Sequence, residues 1–138
     1  MKWLVDTSVW SLAFRHNPPP SIPPEVQVLG AALHGFDQIY TTGLIIQELL
    51  QGFSGPKHRD RLLERLDKIL TVFPDKTDHI EAAEIRNACR RNGVQIGTVD
   101  AVLIQLCKRH QLTLLSTDRD FLHAKPFVQF DLWQEVHH

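Results

Sequence analysis

Five short apolar runs alternate with longer segments of helical character, and this alternation constrains the fold more than any other feature of the sequence. The runs occupy residues 3–5, 38–41, 71–73, 112–116 and 127–133, and each has the length and apolar character of a strand. Parallel strands cannot be joined by a tight turn, so helices between the strands are typical of a mostly parallel sheet. We therefore predict an α/β fold in which a central, mostly parallel sheet carries helices on both faces.

The segments between the strands supply the helices. Helical stretches are expected over 7–15, 25–33, 42–51, 57–70, 77–91 and 98–110, and a short helix after a turn at 117–121. Thr7 or Ser8 is expected to cap the first helix and Thr98 the last long one. The stretch 57–70 has the clearest amphipathic pattern, with leucine and isoleucine at helical spacing. Five prolines lie between positions 17 and 24. Because proline does not fit the interior of a helix or a sheet, we predict a stiff loop there.

Length and composition set the scale of the molecule. The chain has 138 residues, 43% of them hydrophobic, so we expect a single domain over 1–138 with its own core. No stretch approaches the ~18 uncharged apolar residues of a membrane span, and Asp6 interrupts the start where a signal peptide is apolar. We therefore expect a cytoplasmic protein without membrane contact. His137 and His138 are interpreted as native residues or a tag remnant, without a function.

Charge and motif content exclude several function classes. Fifteen Lys and Arg against 16 Asp and Glu give a net charge of −1, which excludes a strongly basic nucleic-acid coat but not local basic patches. Cys89 and Cys107 form no C-x-x-C motif, so zinc-knuckle and thioredoxin-like sites are excluded and two buried thiols are expected. The absence of G-x-x-x-x-G-K-[ST] and G-x-G-x-x-G motifs excludes P-loop and dinucleotide-binding enzymes.

Four acidic residues stand at positions that point to a functional site. Asp6 follows the first strand and Asp118 follows the strand at 112–116, so both are expected at the carboxyl edge of the sheet, where open α/β sheets bind ligands. Asp100 lies in the first turn of its helix but on the apolar face. Glu48 falls inside the apolar arc of its helix, away from the neighbouring glutamines.

Each of the four also has a purely structural interpretation. Asp6 and Asp118 suit helix caps or turns, Asp100 suits a helix N-terminus, and Glu48 suits an internal salt bridge. Four carboxylates at one edge, however, would repel one another and raise one another's pKa values. A divalent cation resolves this, and carboxylate oxygens suit Mg²⁺ or Mn²⁺ rather than zinc. Such ions polarise phosphoryl oxygens and activate water, so the pattern predicts metal-dependent phosphate chemistry.

The same residues resemble the motifs of PIN-domain ribonucleases. Residues 5–10 are similar to the first motif, 47–49 with the following Gly52 to the second, 100–104 to the third and 114–121 to the fourth. Order and spacing agree over essentially the whole chain. By pattern, the chain most resembles the VapC-type toxins of bacterial and archaeal toxin–antitoxin pairs.

The resemblance implies a PIN-like three-layer α/β/α sandwich and Mg²⁺- or Mn²⁺-dependent endonucleolytic cleavage of RNA. It implies a toxin that cuts tRNA or rRNA and arrests growth, acting as a homodimer and inhibited by an antitoxin whose tail covers the site. The implied catalytic and metal-binding set is Asp6, Glu48, Asp100 and Asp118. Asp118 is preferred to Asp120 as the fourth acid because it lies nearer the strand, and both stay open. Supporting roles fall to Asp120, Ser116, Thr7 and Ser8, although the family more often has threonine at the position of Ser116.

Basic residues near these motifs are candidates for RNA contact. Because the site itself is acidic, the RNA phosphates need positive charge at its rim. Arg119 is the first candidate because it lies between two acids of the fourth motif, where it could also pair with them. Arg15, Lys57 and Arg59 are further candidates, as is the segment 108–109, with solvated helix faces as the alternative. The three tryptophans are expected to pack in the core rather than stack on bases.

Other function classes remain open at this point. One alternative is a PIN-fold module that binds RNA or a protein without cutting; the presence of all four acids counts against it. Another is a structure-specific DNA nuclease, although such enzymes usually carry extra segments that this minimal chain does not show. Haloacid-dehalogenase-like phosphatases also carry an Asp after the first strand, but they need a second Asp where this chain has Ser8.

Overall fold

A computed structural model describes residues 1–15, 20–53 and 55–136. The strands are β1 (Lys2–Val5), β2 (Gln38–Thr41), β3 (Leu70–Thr71), β4 (Thr113–Leu115) and β5 (Asp131–Leu132). The helices are α1 (Thr7–Ala13), α2 (Pro24–His34), α3 (Gly43–Gly52), α4 (Pro56–Leu66), α5 (Lys76–Arg91), α6 (Thr98–His110) and α7 (Asp120–Ala124).

The five strands form one sheet in the order β3-β2-β1-β4-β5, and every neighbouring pair is parallel. The predicted α/β fold with a mostly parallel central sheet is therefore confirmed. β1 lies at the centre, where Leu4 pairs with Tyr40 of β2 on one side and with Leu114 of β4 on the other. Leu4 and Leu114 are fully buried, as expected for a parallel sheet covered on both faces.

The helices pack in two groups around this sheet: α1 contacts α2 and α3, and α5 packs along α6. Of the seven described helices, α6 is the most buried, because every residue from Ala101 to Cys107 is buried. Its first turn carries Asp100, so this acid is attached to a helix that is anchored in the core. No helix among the described residues has the length and apolar character needed to cross a membrane.

The two largest errors in the predicted boundaries concern helix 57–70 and strand 127–133. Helix α4 ends at Leu66 rather than at residue 70, and the strand that pairs with β2 is Leu70–Thr71 rather than the predicted 71–73. Leu70 thus continues the helical spacing in sequence but lies exposed on an edge strand, because pairing with Tyr40 overrides the local pattern. The predicted strand 127–133 is reduced to Asp131–Leu132, since the chain before it is held in turns by bonds to Ala124 O.

The proline-rich loop lies partly outside the described residues, which omit 16–19. Helix α2 already begins at Pro24, one residue earlier than predicted. Proline suits the first position of a helix because its missing N–H would have no partner there.

Candidate functional site

Asp6 and Ser116 meet at the carboxyl edge of the sheet because β1 and β4 are adjacent parallel strands. Val5 pairs with Leu115, and the ladder extends one residue further through Asp6 N, which donates to Leu115 O at 2.9 Å. Both strands end here, so the side chains that follow them share one edge. The sheet register, rather than a loop, therefore sets the position of Asp6.

The carboxylate of Asp6 is held by three hydrogen bonds. Its Oδ1 accepts from Thr7 N at 2.8 Å, and its Oδ2 accepts from Ser8 Oγ at 3.0 Å and from Ser116 Oγ at 2.7 Å. Asp6 itself is the cap of α1, in extended backbone geometry, so the prediction that Thr7 or Ser8 caps this helix is wrong. Likewise Gly97, not Thr98, is the cap residue of α6.

Ser116 also joins Asp6 to the fourth motif. Its Oγ accepts from Asp118 N at 3.0 Å, and Asp118 Oδ1 in turn accepts from Asp120 N at 2.9 Å. The second bond is a turn in which an Asp side chain binds the backbone two residues on. This turn brings the carboxylates of Asp118 and Asp120 close together. The sequence left these two residues as alternatives for the fourth acid.

A cluster of three acids forms beside Asp6. Asp100, Asp118 and Asp120 each bring one carboxylate oxygen to within 4.8 Å of the others. Asp100 accepts a hydrogen bond from Gly97 N at 3.3 Å. Burial, and then the charges of Asp118, Asp6 and Asp120, raise the pKa of Asp100 from 3.8 to about 6. The cluster and Asp6 are therefore close enough to act electrostatically on one carboxyl group.

Glu48 reaches this region from α3, which packs on α1. It is exposed rather than enclosed by the apolar arc of its helix, which corrects the sequence interpretation; Ile45 and Leu49 are the buried residues of that face. Thr7 Oγ1 donates to Glu48 Oε1 at 3.0 Å. Thr7, which directly follows Asp6, thereby connects Glu48 to the site, and Glu48 lies at its rim.

The donor set fits a hard divalent cation. Oxygen atoms of three carboxylates converge in the described part of the chain, without a histidine or cysteine among them. Burial, and then the charges of the neighbouring carboxylates, raise the pKa of Asp100, so its ionised form is unfavourable without a counter-ion. A cation between these oxygens would relieve the repulsion, whereas a lysine or arginine in the cluster would make one unnecessary.

The raised pKa of Asp100 predicts that Asp100→Asn stabilises the metal-free protein above pH 6. Because the pKa is raised in the folded state, the folded protein binds more protons between pH 4 and pH 6, and stability falls as the pH rises through that range. Allowing for screening of the half-buried carboxylate, we expect a gain of about 1 kcal/mol at pH 7.5. Thermal unfolding in EDTA at pH 7.5 and pH 4 measures it.

The control for that prediction is Asp67→Asn, a change at an exposed carboxylate on the end of α4. It should leave the unfolding temperature unchanged at both pH values. An Asp100→Asn protein that is less stable than the wild type at pH 7.5 would contradict the cost assigned to the buried, ionised Asp100 carboxylate.

The basic candidates are placed differently from one another. Arg119 is exposed beside the cluster, and its guanidinium makes no hydrogen bond or ion pair with a described residue, so it is not paired with the acids. Arg15 is exposed beyond the far end of α1, while Lys57 and Arg59 are exposed on α4. Arg109 is not available for a ligand, because its Nη2 lies 2.7 Å from Asp78 Oδ2 and donates to Phe73 O.

Sequence reasoning missed a cleft next to the cluster. Its volume is about 490 Å³, and its lining includes Glu25, Asp118, Arg119 and Trp133. Trp3 and Trp10 are buried as predicted, but Trp133 is only half-buried and faces this cleft. The sequence signal was misinterpreted, because the predicted strand 127–133 includes Trp133, whereas β5 ends at Leu132 and Trp133 follows it.

Comparisons with known proteins agree with this architecture. Residues 3–125 match the family model of the PIN domain. The structure is similar to that of FitAcB from Neisseria gonorrhoeae, with a TM-score of 0.69, 23% identity and coverage of 97% of both chains. It is similar to VapBC2 from Rickettsia felis bound to a promoter DNA fragment, with a TM-score of 0.71, 16% identity and coverage of 96% of this chain and 98% of that one.

A third similar structure is VapC20 of Mycobacterium tuberculosis, described as a sarcin-ricin loop cleaving toxin. Its TM-score is 0.67 at 17% identity, with 93% of this chain and 97% of that chain covered. No curated protein sequence matches the chain. At these identities the structural likenesses establish the fold.

Proposed function

Because the chain belongs to the PIN domain family, we propose that it is a metal-dependent endoribonuclease that hydrolyses phosphodiester bonds of RNA. The observation that carries this proposal is the cluster of Asp100, Asp118 and Asp120 beside Asp6 at the carboxyl edge of the sheet. Nuclease activity is what the family leads one to expect. An excess of carboxylate charge at a ligand-binding edge is what a cation-dependent nuclease needs.

Mg²⁺ or Mn²⁺ would be held by the acidic set Asp6, Asp100 and Asp118, with Glu48 and Asp120 completing its surroundings. When bound, such an ion polarises a phosphoryl oxygen and lowers the pKa of a water molecule. The side chains supply the fixed geometry. Asp100 is mounted on the buried helix α6 and Asp6 on the sheet, so neither carboxylate needs to be ordered when the substrate arrives.

Hydroxyl groups orient two of these acids. Ser8 and Ser116 donate to Asp6 Oδ2, and Thr7 donates to Glu48 Oε1. Glu48 is exposed, and its second oxygen accepts no hydrogen bond within the described parts of the chain. That oxygen is suited to holding the attacking water and accepting its proton, since a carboxylate at the rim can contact both water and substrate.

RNA rather than DNA is the proposed substrate, and a ribosomal or transfer RNA the proposed target. The support is the similarity to VapC20, which is described as cleaving the sarcin-ricin loop. Cleavage of matched RNA and DNA hairpins in Mn²⁺ tests the choice. We expect cuts in the RNA hairpin alone, and cuts confined to the DNA hairpin would identify a structure-specific DNA nuclease instead.

The proposed partner is an antitoxin protein, and the proposed assembly is a homodimer that acts in the cytoplasm. Similar structures include toxin–antitoxin complexes from Rickettsia felis, Haemophilus influenzae and Klebsiella pneumoniae, which supports an antitoxin partner. An inhibitor that covers the carboxyl edge would mask the acids from RNA. The proposed role is therefore that of the toxin in a toxin–antitoxin pair.

Arg119 is proposed to contact the RNA backbone at the edge of the acidic cluster. It is exposed and without an ion pair among the described residues, so its charge is available to a phosphate. We expect Arg119→Glu to raise the KM for RNA cleavage roughly tenfold, since one reversed contact beside the scissile phosphate costs about 1–2 kcal/mol.

Lys76→Glu is the matched control for Arg119→Glu. Lys76 is also exposed, but it begins α5 on another part of the surface. Initial rates at several RNA concentrations give KM for both proteins. Equal increases in KM would show that the effect is one of net charge and would remove Arg119 from the substrate site.

A further inference from the structure

A cleft opens from the acidic cluster toward the carboxyl end of the chain. Ser116, Thr117, Asp118 and Arg119 form the wall that it shares with the proposed catalytic site. At about 490 Å³ it falls within the ~300–1,000 Å³ typical of pockets for small ligands. The cleft is therefore large enough to receive a segment of substrate that extends past the cluster on this side.

Trp133 gives this cleft a flat, apolar surface. Its backbone N donates to Leu114 O at 3.0 Å, which fixes the residue beside the end of β4. The ring is half-buried against the core and also lines the cleft, together with Leu122 and Leu132. A rigid aromatic ring on an apolar wall is the surface on which unpaired nucleobases stack.

Beyond the wall that includes Arg119, the charged groups that line the cleft are carboxylates, which disfavour phosphate and favour a base. Glu25, from the first turn of α2, and Glu135, near the end of the chain, both line it, and Gln134 lies between Trp133 and Glu135. Ionised carboxylates accept hydrogen bonds but donate none, and they repel phosphate. A neutral ring that presents hydrogen-bond donors at its edge complements these groups.

We propose that the cleft is a subsite for one unpaired nucleobase of the RNA, stacked on Trp133 and read by Glu25 and Glu135, with guanine preferred. This inference rests on the proposed function for the nature of the ligand. Guanine presents N1–H and N2–H side by side, a pair of donors that matches the two oxygens of one carboxylate. Adenine and cytosine present one amino group each, and uracil presents a single N–H between two carbonyl groups that the carboxylates repel.

The test is an NMR titration of the ¹⁵N-labelled full chain in EDTA with GMP, AMP, CMP and UMP. The indole N–H signal of Trp133 reports on the cleft, while Trp3 and Trp10 are buried in the core and serve as internal references. We expect GMP to shift the Trp133 signal saturably, with a dissociation constant roughly tenfold below that for UMP. The two reference signals should stay in place.

Variants separate stacking from edge recognition. Trp133→Leu should abolish nucleotide-induced shifts elsewhere in the cleft, whereas Phe36→Leu, at a fully exposed aromatic residue before β2, should not. The double variant Glu25→Gln/Glu135→Gln should keep binding but lose the preference for GMP over UMP. The proposal is overturned if the Trp133 signal does not move, if the four nucleotides bind equally, or if the double variant keeps the guanine preference.

These outcomes are independent of cleavage, since neither metal nor hydrolysis is needed for a mononucleotide to bind. A protein that binds GMP at Trp133 but never cuts RNA would retain the subsite and contradict the proposed function. A protein that cuts RNA but shows no binding at Trp133 would support the proposed function and contradict the subsite.

Discussion

Asp6→Asn is expected to lower the rate of RNA cleavage at least about 100-fold while leaving the protein folded. Asparagine keeps an oxygen that can accept from Thr7 N, so the cap of α1 survives. Its amide can donate to Ser8 Oγ or Ser116 Oγ, because hydroxyl groups rotate to accept. Only the negative charge is lost, and that charge is what the proposed cation would need.

The test compares initial cleavage rates and thermal unfolding of the purified wild-type and Asp6→Asn proteins. The matched control is Asp37→Asn, because Asp37 precedes β2 at the opposite, amino edge of the sheet, where it accepts from Trp3 Nε1. We expect the control to keep its cleavage rate. Full metal-dependent activity in a folded Asp6→Asn protein would remove Asp6 from the site.

Arg109→Met is expected to lower the free energy of unfolding by about 2–3 kcal/mol, the largest stability effect of any single change considered. Asp78 is completely buried in α5, and Arg109 from α6 approaches it at 2.7 Å. Gln105 Nε2 and Asp75 N also donate to Asp78, so the carboxylate keeps two partners after the change. A buried charge that loses its counter-ion is destabilising even when hydrogen bonds remain.

The pH dependence of this effect follows from the pKa of Asp78. Burial alone would raise it, but hydrogen bonds from Asp75 and Gln105 and the charge of Arg109 hold it below its ordinary value of 3.8. A lowered pKa contributes stability above pH 3.8, and that stability is lost as the pH falls through the folded-state value. The difference between wild type and Arg109→Met should therefore be full at pH 7 and shrink below pH 4.

Urea unfolding at pH 7 and below pH 4 checks this prediction, with Lys108→Met as the control. Lys108 is the exposed neighbour of Arg109, so its replacement removes the same formal charge without touching Asp78. Equal losses of stability in the two variants would show that net charge, rather than the buried ion pair, stabilises the contact between α5 and α6.

The edge at which the acids lie could be predicted from the sequence because it follows from strand order and direction. Asp6 and Asp118 come directly after apolar runs, and parallel strands bring their carboxyl ends to one edge. Asp100 was found through its place at the start of an otherwise apolar helix. These three placements needed only local periodicity and the handedness of strand–helix–strand connections.

Other features depend on packing that local patterns do not encode. The exposure of Glu48 is set by how α3 packs on α1, so its position within an apolar arc was misleading. The convergence of Asp118 and Asp120 depends on one turn closed by a side-chain hydrogen bond. The pairing of Arg109 with Asp78 joins two helices that are distant in sequence, and Arg109 alone looked like a surface cation.

The most direct test of the central claim is cleavage of total bacterial RNA by the purified protein in Mg²⁺, in Mn²⁺ and in EDTA, beside an Asp100→Asn control. We expect discrete fragments in the presence of either metal, none in EDTA, and none from the control protein. Discrete fragments that persist in EDTA, or that Asp100→Asn produces equally well, would contradict a metal-dependent nuclease site at the Asp100, Asp118 and Asp120 cluster.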